Sequence, residues 1–370
     1  MAQRIVIAPD SFKGTVDAAD AARSLAEGWL SERPDDDIRL MPMADGGEGT
    51  VDAFALARPD AERRRIRVTG PDDRPVDADW LLYRDPAGRL TGLVELANTS
   101  GITLLHPLRP FDAHTRGFGQ AIAAALDHGV ERLALAIGGS SSTDGGAGAL
   151  VELGARLLDA EGRPIADGVA GLDTVAEVDL SGLSTLPTGG ASVLSDVTNP
   201  LLGPLGAAAV FGPQKGLGPD DIPAVERALA RFGDLVGAAA SVDPATPGAG
   251  AAGGTGFGLL AWGAVLERGS AAVGAELGLP DAVAQADVVL TGEGRYDDQS
   301  EAGKVPAYVR GLAAAAGARC GLVAGLIAAD ASAFHASESL TALAGSSREA
   351  LAHPRLHLVA AGAALARTLG

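Results

Sequence analysis

Two glycine-rich turns each contain an aspartate whose presence needs an explanation. "ADGGEGT" places Asp45, and "STDGGAG" places Asp144, directly before a pair of glycines, and each turn runs into an apolar helical pattern. The unpaired N–H groups at the start of a helix are natural anion sites, which a carboxylate should repel. The aspartate is useful there if Mg²⁺ bridges it to a phosphate, or if it accepts the proton of a hydroxyl that attacks phosphorus. Taken singly, each aspartate is more typical of a helix N-cap.

The other polar loops repeat this combination of glycine with acidic or basic side chains. Each follows an apolar segment with strand character, so lysines could hold phosphate while carboxylates supply the oxygen ligands that Mg²⁺ prefers. Because six loops share one chemistry, the sequence predicts phosphoryl transfer, in which catalysis rests on positioning and charge neutralisation. Besides the two aspartates, the side chains concerned are Asp10, Ser11, Lys13, Thr15, Glu48, Ser140, Ser141, Ser142, Thr143, Asp196, Thr198, Asn199, Gln214, Lys215, Glu293, Arg295, Asp297, Gln299 and Lys304.

The elements that must position these loops follow from the hydrophobic pattern. "RIVIAP" has strand character, and the helical pattern after it puts Val16, Leu25 and Trp29 on one face. "IRLMPM" followed by "TVDAFALA" repeats the unit, which predicts a parallel sheet with ligand-binding loops at the carboxyl ends of its strands. The segment from 62 to 105 is typical of antiparallel strands, because Gly, Pro and Asp turns separate its apolar runs. Later helices are expected at 116–128, 146–158, 222–240, 255–268 and after Lys304.

Similar βα units at both chain ends, with hairpins between them, predict the domain organisation. We expect an α/β fold in which one doubly wound domain is interrupted by a second α/β domain. The predicted bounds are residues 1–64 and 285–370 for the discontinuous domain and 65–284 for the inserted one.

Composition restricts the class of partner. The formal net charge of -18 over 370 residues argues against nucleic acid or an anionic membrane as a partner, since both are bound through excess Lys and Arg. The single cysteine, Cys320, lies in the apolar segment "CGLVAG", which indicates a buried thiol in a reducing compartment rather than a disulfide framework. No segment is typical of a signal peptide or a membrane span, so we expect a soluble cytoplasmic protein, as monomer or homodimer.

Seven dispersed blocks resemble, in order, the motif series of the bacterial glycerate kinases of type I. They extend from residue 4 to about residue 310 and are "RIVIAPDSFKGT", "PMADGGEGT", "ELANTSGI", "IGGSSSTDGGAGAL", "SDVTNPLLGPLGAAAVFGPQKG", "PGAGAAGGTGFG" and "DVVLTGEGRYDDQSEAGKVP". The resemblance implies ATP- and Mg²⁺-dependent phosphorylation of D-glycerate, with 2-phosphoglycerate favoured over 3-phosphoglycerate. It also implies a Rossmann-like domain built from both chain ends, a second α/β domain inserted in it, and an active site in the cleft.

Three stretches depart from the family pattern. Thr143 stands where the family usually has an amide beside Asp144, and "RYDDQ" replaces a more usual Arg-Ile-Asp. "AHTRGFG", at residues 113–119, replaces a Thr-rich stretch and introduces Arg116 and Phe118. These changes leave open a related kinase for another small hydroxy acid, and a noncatalytic sensor of nucleotides or sugar acids is a third hypothesis.

Residue roles follow from what glycerate and ATP require. Asp196 is the preferred base or Mg²⁺ ligand because "SDVTNP" follows a buried strand, with Asp45 and Asp297 as alternatives. Lys13 or Arg295 could clamp the substrate carboxylate, and an arginine would do so bidentately. The expected assignments are catalysis by Asp196, Asp45 and Lys13, substrate binding by Ser11, Arg295, Asp297 and Asn199, ATP binding by Gly139, Ser140, Ser141, Asp144, Lys215 and Lys304, and Mg²⁺ binding by Asp196 and Asp297.

Overall fold

The chain divides into two compact units in a computed structural model, which describes residues 2–12, 14–44, 46–267, 269–297, 300 and 304–370. The discontinuous unit comprises Met1–Asp45, Asp52–Asp60 and Gly269–Gly370, and the inserted unit comprises Gly46–Val51 and Ala61–Arg268. The sequence predicts limits at 64/65 and 284/285. In the structure, 46–51 and 61–64 belong to the inserted unit, and 269–284 belongs to the discontinuous unit.

The discontinuous unit is built on a parallel sheet of five strands in the order β13-β12-β11-β1-β2. Its strands are β1 (Arg4–Pro9), β2 (Asp37–Leu40), β11 (Val288–Tyr296), β12 (Arg319–Ile327) and β13 (Ala336–Ser339). Its helices are α1 (Ala18–Glu32), α10 (Gly269–Leu277), α11 (Leu279–Val283), α12 (Val305–Ala316), α13 (Leu340–Ala344), α14 (Ser347–Ala352) and α15 (Pro354–Leu369), while α2 (Thr50–Ala57) crosses the limit between the units at residue 51.

Apolar side chains from both chain ends form one core in this unit. Ile5 and Ile7 of β1 pack with Leu290 of β11 and with Leu25 of α1, and all four are almost fully buried. Helices α1 and α15 approach closely at Gly362, where no side chain would fit. A Cβ at this position would lie 2.2 Å from the carbonyl oxygen of Leu25. Cys320 is buried as predicted, and burial raises the pKa of its thiol to about 12.

The inserted unit contains a mixed sheet of six strands in the order β10-β9-β6-β5-β4-β3. β3 to β5 are antiparallel neighbours, whereas β5, β6, β9 and β10 run parallel. The strands, of which β7 and β8 form a separate antiparallel pair, are β3 (Glu62–Thr69), β4 (Pro75–Arg84), β5 (Leu90–Glu95), β6 (Arg132–Ala136), β7 (Arg156–Leu158), β8 (Glu177–Asp179), β9 (Ala191–Leu194) and β10 (Val265–Glu267). The helices are α3 (Ala97–Ser100), α4 (Arg116–Asp127), α5 (Ala147–Glu152), α6 (Gly168–Leu172), α7 (Ala207–Phe211), α8 (Ile222–Ala240) and α9 (Thr255–Trp262).

The core of the inserted unit explains one departure from the family pattern. Phe118 of α4 is fully buried among sheet residues such as Val94 and Leu135. Phe232 of α8 meets Phe257 of α9 edge-on, with ring centroids 6.1 Å apart. Phe118 is therefore a packing residue, as the apolar face of α4 requires.

Two predicted helices end earlier than the hydrophobic pattern suggested. Helix α5 ends at Glu152 rather than near 158, because Gly154 has φ +110° and the chain turns into strand β7. Helix α9 ends at Trp262 rather than near 268, because Gly263 takes the left-handed conformation as its C-cap. In both cases a single glycine ends an apolar run that otherwise continues with helical spacing.

Among the described residues, no helix combines the length and the hydropathy needed to cross a membrane.

Candidate active site

In the discontinuous unit, the loop after β1 lies beside the carboxyl-terminal half of β11. The two strands are parallel neighbours, with Pro9 paired to Gly292, and the N–H of Asp10 donates to the Gly292 carbonyl at 2.8 Å. The chain continues from β1 to β2 on one side and from β11 to β12 on the other. This reversal is a topological switch point, where open α/β sheets bind their ligands.

Several predicted site residues lie near the carboxyl ends of β1 and β11 or at the start of α12. Arg295 and Asp297 form an ion pair, with Arg295 Nε 3.3 Å from Asp297 Oδ2, and the Arg295 side chain is largely exposed. Asp10 is buried and accepts the N–H of Ser11 at 2.6 Å, so Ser11 is held at the end of β1. Lys304 is the N-cap residue of α12, in extended backbone conformation. Lys13 and Gln299 lie outside the described residues.

In the inserted unit, the first glycine-rich turn rests on the carboxyl ends of the central strands. The carbonyl of Gly46 accepts the N–H of Gly138 at 2.8 Å, just after β6. A Cβ on Gly46 would lie 2.1 Å from the carbonyl oxygen of Leu194, the last residue of β9. The turn therefore needs glycine at its point of contact with the sheet. Asp45 lies outside the described residues, so the structure gives no position for its carboxylate.

Glu95, the last residue of β5, stabilises this turn through its side-chain carboxylate. Its two carboxylate oxygens accept the N–H groups of Gly49 at 3.1 Å and of Val51 at 2.8 Å, and the residue is 3% exposed. These N–H groups lie at the start of helix α2, where a carboxylate also interacts favourably with the helix dipole.

The second glycine-rich turn is organised by Asp144. This residue is fully buried, and its Oδ2 accepts the N–H of Thr115 at 2.9 Å, the hydroxyl of Thr115 at 2.7 Å and the N–H of Gly148 at 3.3 Å. Its Oδ1 accepts the hydroxyl of Ser142 at 3.0 Å and the N–H of Gly146 at 3.2 Å. Asp144 is therefore the anion that satisfies the N–H groups at the start of α5.

Lys215 is buried directly against this turn. Its Nζ donates to the Ser140 hydroxyl at 2.7 Å and to the Ser142 carbonyl. Burial lowers the pKa of Lys215 from 10.5 to about 7, although the Asp144 carboxylate acts in the opposite direction. The amine is therefore poised between its neutral and its charged form near neutral pH.

A third glycine-rich segment leaves just enough room for this lysine. Gly253 has φ +69°, and a Cβ there would lie 2.7 Å from Lys215 Nζ and 2.1 Å from the Ser142 carbonyl oxygen. Thr143 is also buried beside Gly253, and its hydroxyl has no hydrogen-bond partner within the described part of the chain. The segment "PGAGAAGG" thus forms a wall of the site rather than a flexible linker.

The loop after β9 carries the remaining predicted residues of this unit. Asp196 is exposed two residues beyond the end of the strand. The amide nitrogen of Asn199 donates to the Leu205 carbonyl at 2.7 Å, and its backbone carbonyl accepts the N–H groups of Gly248 and Gly250. Asn199 therefore holds its own loop against the segment that contains Gly253.

The structure brings some predicted residues together and adds others that sequence reasoning missed. It joins Arg295 to Asp297 in one unit, and Ser140 to Lys215 in the other. The residues that were missed are Glu95 and Thr115. Glu95 could have been suspected as an acidic residue at the end of an apolar strand, whereas the role of Thr115 follows only from its contact with Asp144, 29 positions away.

Each unit thus offers a different part of the chemistry of phosphoryl transfer. The turn at 138–144 combines main-chain and hydroxyl groups with a lysine, which is a suitable set for phosphate. The switch point of the other sheet presents an exposed arginine and carboxylates, which suit a small hydroxy acid.

Comparison with known proteins assigns the chain to a family. A model of the glycerate kinase family matches residues 5–370. Glycerate kinase of Bacillus subtilis (strain 168) is 44% identical over 311 residues, which cover 82% of this chain and 80% of the relative. Glycerate 2-kinase of Escherichia coli (strain K12) is 41% identical over 315 residues, which cover 84% and 82%.

A solved structure agrees over almost the whole chain. The crystal structure of a Salmonella typhimurium LT2 protein described as a glycerate kinase 2 matches with a TM-score of 0.82 and 39% identity, covering 99% of this chain and 98% of that one. The predicted α/β fold and the resemblance drawn from the seven blocks are confirmed. The chain belongs to the glycerate kinase family and is a kinase.

Proposed function

We propose that the protein transfers the γ-phosphoryl group of ATP to D-glycerate with the help of Mg²⁺ and forms 2-phosphoglycerate. The observation that carries the proposal is the buried Lys215 bonded to the turn at 138–144, which follows the carboxyl end of β6, a parallel neighbour of β9. The name of the Escherichia coli relative, glycerate 2-kinase, supports O2 as the phosphorylated oxygen. The single buried cysteine also supports the cytoplasm as the place of action.

The turn at 138–144 is the proposed site of the ATP phosphates. Gly139, Ser140 and Ser141 are the proposed phosphate-binding residues of the turn, although the N–H and the hydroxyl of Ser141 both donate to the Ser100 carbonyl in this structure. Asp144 stabilises the turn from inside through Thr115, Gly146 and Gly148. A phosphate near Lys215 Nζ favours the ammonium form, so binding of the nucleotide would restore the charge that burial suppresses. Lys304 is proposed as a further phosphate contact in the other unit.

Mg²⁺ is the proposed metal, and the available donors suit it. Asp196 and Asp297 offer carboxylate oxygens, but among the described residues neither belongs to a group of three His or acidic ligands within 4.8 Å of one another. Mg²⁺ commonly takes one or two protein carboxylates and completes its octahedron with water and phosphate oxygens, so this sparse set fits the ion. When bound, the ion would neutralise charge on the phosphates.

The substrate contacts are assigned by chemistry. The exposed guanidinium of Arg295 is proposed to bind the glycerate carboxylate, oriented by its ion pair with Asp297. Ser11 and the amide of Asn199 are proposed to bind hydroxyl groups. Asp196 is proposed to accept the proton of the attacking hydroxyl, because it is exposed directly beyond the end of β9. Asp45 and Lys13 remain proposed catalytic residues on sequence grounds alone.

The activity is tested with the purified full chain, ATP, Mg²⁺ and a panel of small hydroxy acids. We expect turnover of D-glycerate, and phosphorus and proton NMR of the product should show phosphate on O2. Asp196→Asn should lower kcat by about 100-fold or more, the scale of a lost general base. Asp220→Asn, which changes an exposed acid just before α8, serves as the control. Near-normal turnover by a folded Asp196→Asn protein would contradict the role of Asp196.

A related kinase for another hydroxy acid is the second candidate. The altered stretch at residues 113–119 includes Thr115, which bonds directly to Asp144 beneath the proposed phosphate turn. The same panel decides between the two, because this candidate requires that another hydroxy acid be phosphorylated with a higher kcat/KM than D-glycerate.

A further inference from the structure

The first glycine-rich turn, residues 46–49, packs against the start of the turn at 138–144. A Cβ on Gly138 would lie 2.5 Å from the Cα of Gly47, and one on Gly139 would lie 3.8 Å from the Cβ of Glu48. The first turn therefore forms one side of the proposed phosphate site. A change in the position of the first turn is therefore transmitted to Gly138 and Gly139 by direct contact.

Each turn is held by one buried carboxylate. Asp144 holds the second turn from within the turn itself, whereas Glu95 holds the first turn from another element, strand β5. Glu95 is almost fully buried, and each of its oxygens accepts a main-chain N–H at the start of α2. Two such charge-assisted bonds from one carboxylate fix the position and the orientation of the turn relative to the sheet.

We propose that Glu95 is a positioning residue of the phosphoryl-transfer site. It fixes the turn at 46–49, and through the contact of Gly47 with Gly138 it fixes the neighbouring phosphate turn. Asp45, the proposed catalytic residue, directly precedes Gly46 in the chain. This inference rests on the proposed kinase activity.

Glu95→Gln tests the proposal, because it replaces one carboxylate oxygen by an NH₂ group and keeps the size of the side chain. A glutamine side chain offers a single carbonyl oxygen, and its NH₂ group would face one of the two main-chain N–H groups that the carboxylate now accepts. We expect kcat to fall by about 10- to 100-fold, the usual cost of losing the support around a site. Glu95→Asp keeps the charge on a shorter side chain and should give an intermediate kcat.

Glu131→Gln is the matched control. Glu131 accepts the N–H of Leu90 at 2.7 Å, so it makes the same kind of bond at the opposite end of the same strand. Its hydrogen bonds to the described residues join it to Leu90 and Gly189 and to neither glycine-rich turn. We expect its kcat and both KM values to remain within about twofold of the wild type, as for ordinary surface substitutions.

Hydrogen exchange separates positioning from general stability. In Glu95→Gln, amides of the segment 46–54 should exchange faster, while amides of the strand pair β7 and β8 should exchange at an unchanged rate. Kinetics are measured at a temperature where circular dichroism shows every variant to be folded, and kcat is expressed per folded protein. If Glu95→Gln does not fold, Glu95→Asp provides the same comparison.

The outcomes separate this inference from the proposed function. If the wild type phosphorylates none of the acids in the panel, the proposed function fails. If the wild type is active but Glu95→Gln and Glu95→Asp keep its kcat, or Glu131→Gln loses as much, the positioning role is refuted. A loss of kcat in the Glu95 variants alone, together with faster exchange at 46–54, supports it.

Discussion

Lys215 shows how strongly a buried side chain depends on its surroundings. Its amine lies against Ser140, Ser142 and Gly253 and is almost inaccessible to water. Burial disfavours the charged form, so the folded-state pKa of about 7 lies below the unfolded value of 10.5. The sequence predicts Lys215 as a phosphate contact. It does not show the burial of the amine, which depends on residues 75 and 38 positions away.

The effect of Lys215→Met on stability should depend on pH. Between about pH 7 and 10.5 the unfolded state binds more protons than the folded state, so the wild type gains stability as pH rises. The free energy of unfolding of the wild type minus that of Lys215→Met should therefore increase by about 1.4 kcal/mol per pH unit in this range. Below pH 7 the difference should be constant.

Urea unfolding of both proteins at several pH values measures this difference. Subtracting the two curves removes the contributions of the other titrating groups, because these are common to both proteins. A difference that stays flat from pH 7 to 10 would show that the Lys215 pKa is not lowered in the folded protein.

At the scale of elements, glycine-rich segments bring loops together closely enough to form the site. Gly253 belongs to a short segment that ends at helix α9, and it approaches both Lys215 and the Ser142 carbonyl. No residue larger than glycine fits at position 253, and the positive φ of Gly253 also disfavours other residues.

Gly253→Ala should therefore be far more damaging than a substitution at a comparable glycine. Gly162 has φ +74°, but a Cβ there would meet nothing within 4 Å, so Gly162→Ala carries only the left-handed strain of about 1 kcal/mol. Gly253→Ala adds overlap with main chain and should lower the free energy of unfolding by about 2–4 kcal/mol in total. Chemical denaturation of the two variants gives both values, and equal losses would contradict the packing described for Gly253.

The order of strands and helices follows well from hydrophobic patterning, whereas their ends and contacts follow less well. The strand "RLALA" and the helix from Arg116 were predicted because apolar period and length agree there. The ends of α5 and α9 were missed because Gly154 and Gly263 interrupt patterns that remain apolar beyond them. The bond from Thr115 to Asp144 could not be predicted, because it joins two loops that only the tertiary fold brings together.

At the scale of the whole molecule, the two units have separate hydrophobic cores. One cluster contains residues from 80 to 264, and the other contains residues from 5 to 40 and from 288 to 369. The core of the inserted unit thus comes from one continuous stretch of chain, while the core of the discontinuous unit needs both ends.

The segment 46–268 should therefore fold when it is expressed alone. Its core is that of a complete domain of ordinary size, so we expect cooperative thermal unfolding and dispersed methyl signals in NMR. The segment 1–60 alone should remain unfolded, because it lacks the strands β11 and β12 that complete its sheet. A molten segment 46–268, without cooperative unfolding, would show that its core depends on the rest of the chain.

The carboxylates of Glu95 and Asp144 have a consequence for the thermodynamics of nucleotide binding. They already neutralise the helix starts at the two turns, so much of the positive charge that attracts phosphate must come from Lys215. We expect this amine to take up a proton from the solution when ATP binds above pH 7. The calorimetric heat of binding at pH 8 should then vary with the ionisation enthalpy of the buffer, and Lys215→Met should remove most of that variation. Phosphate recognition and proton uptake would thus be one coupled event.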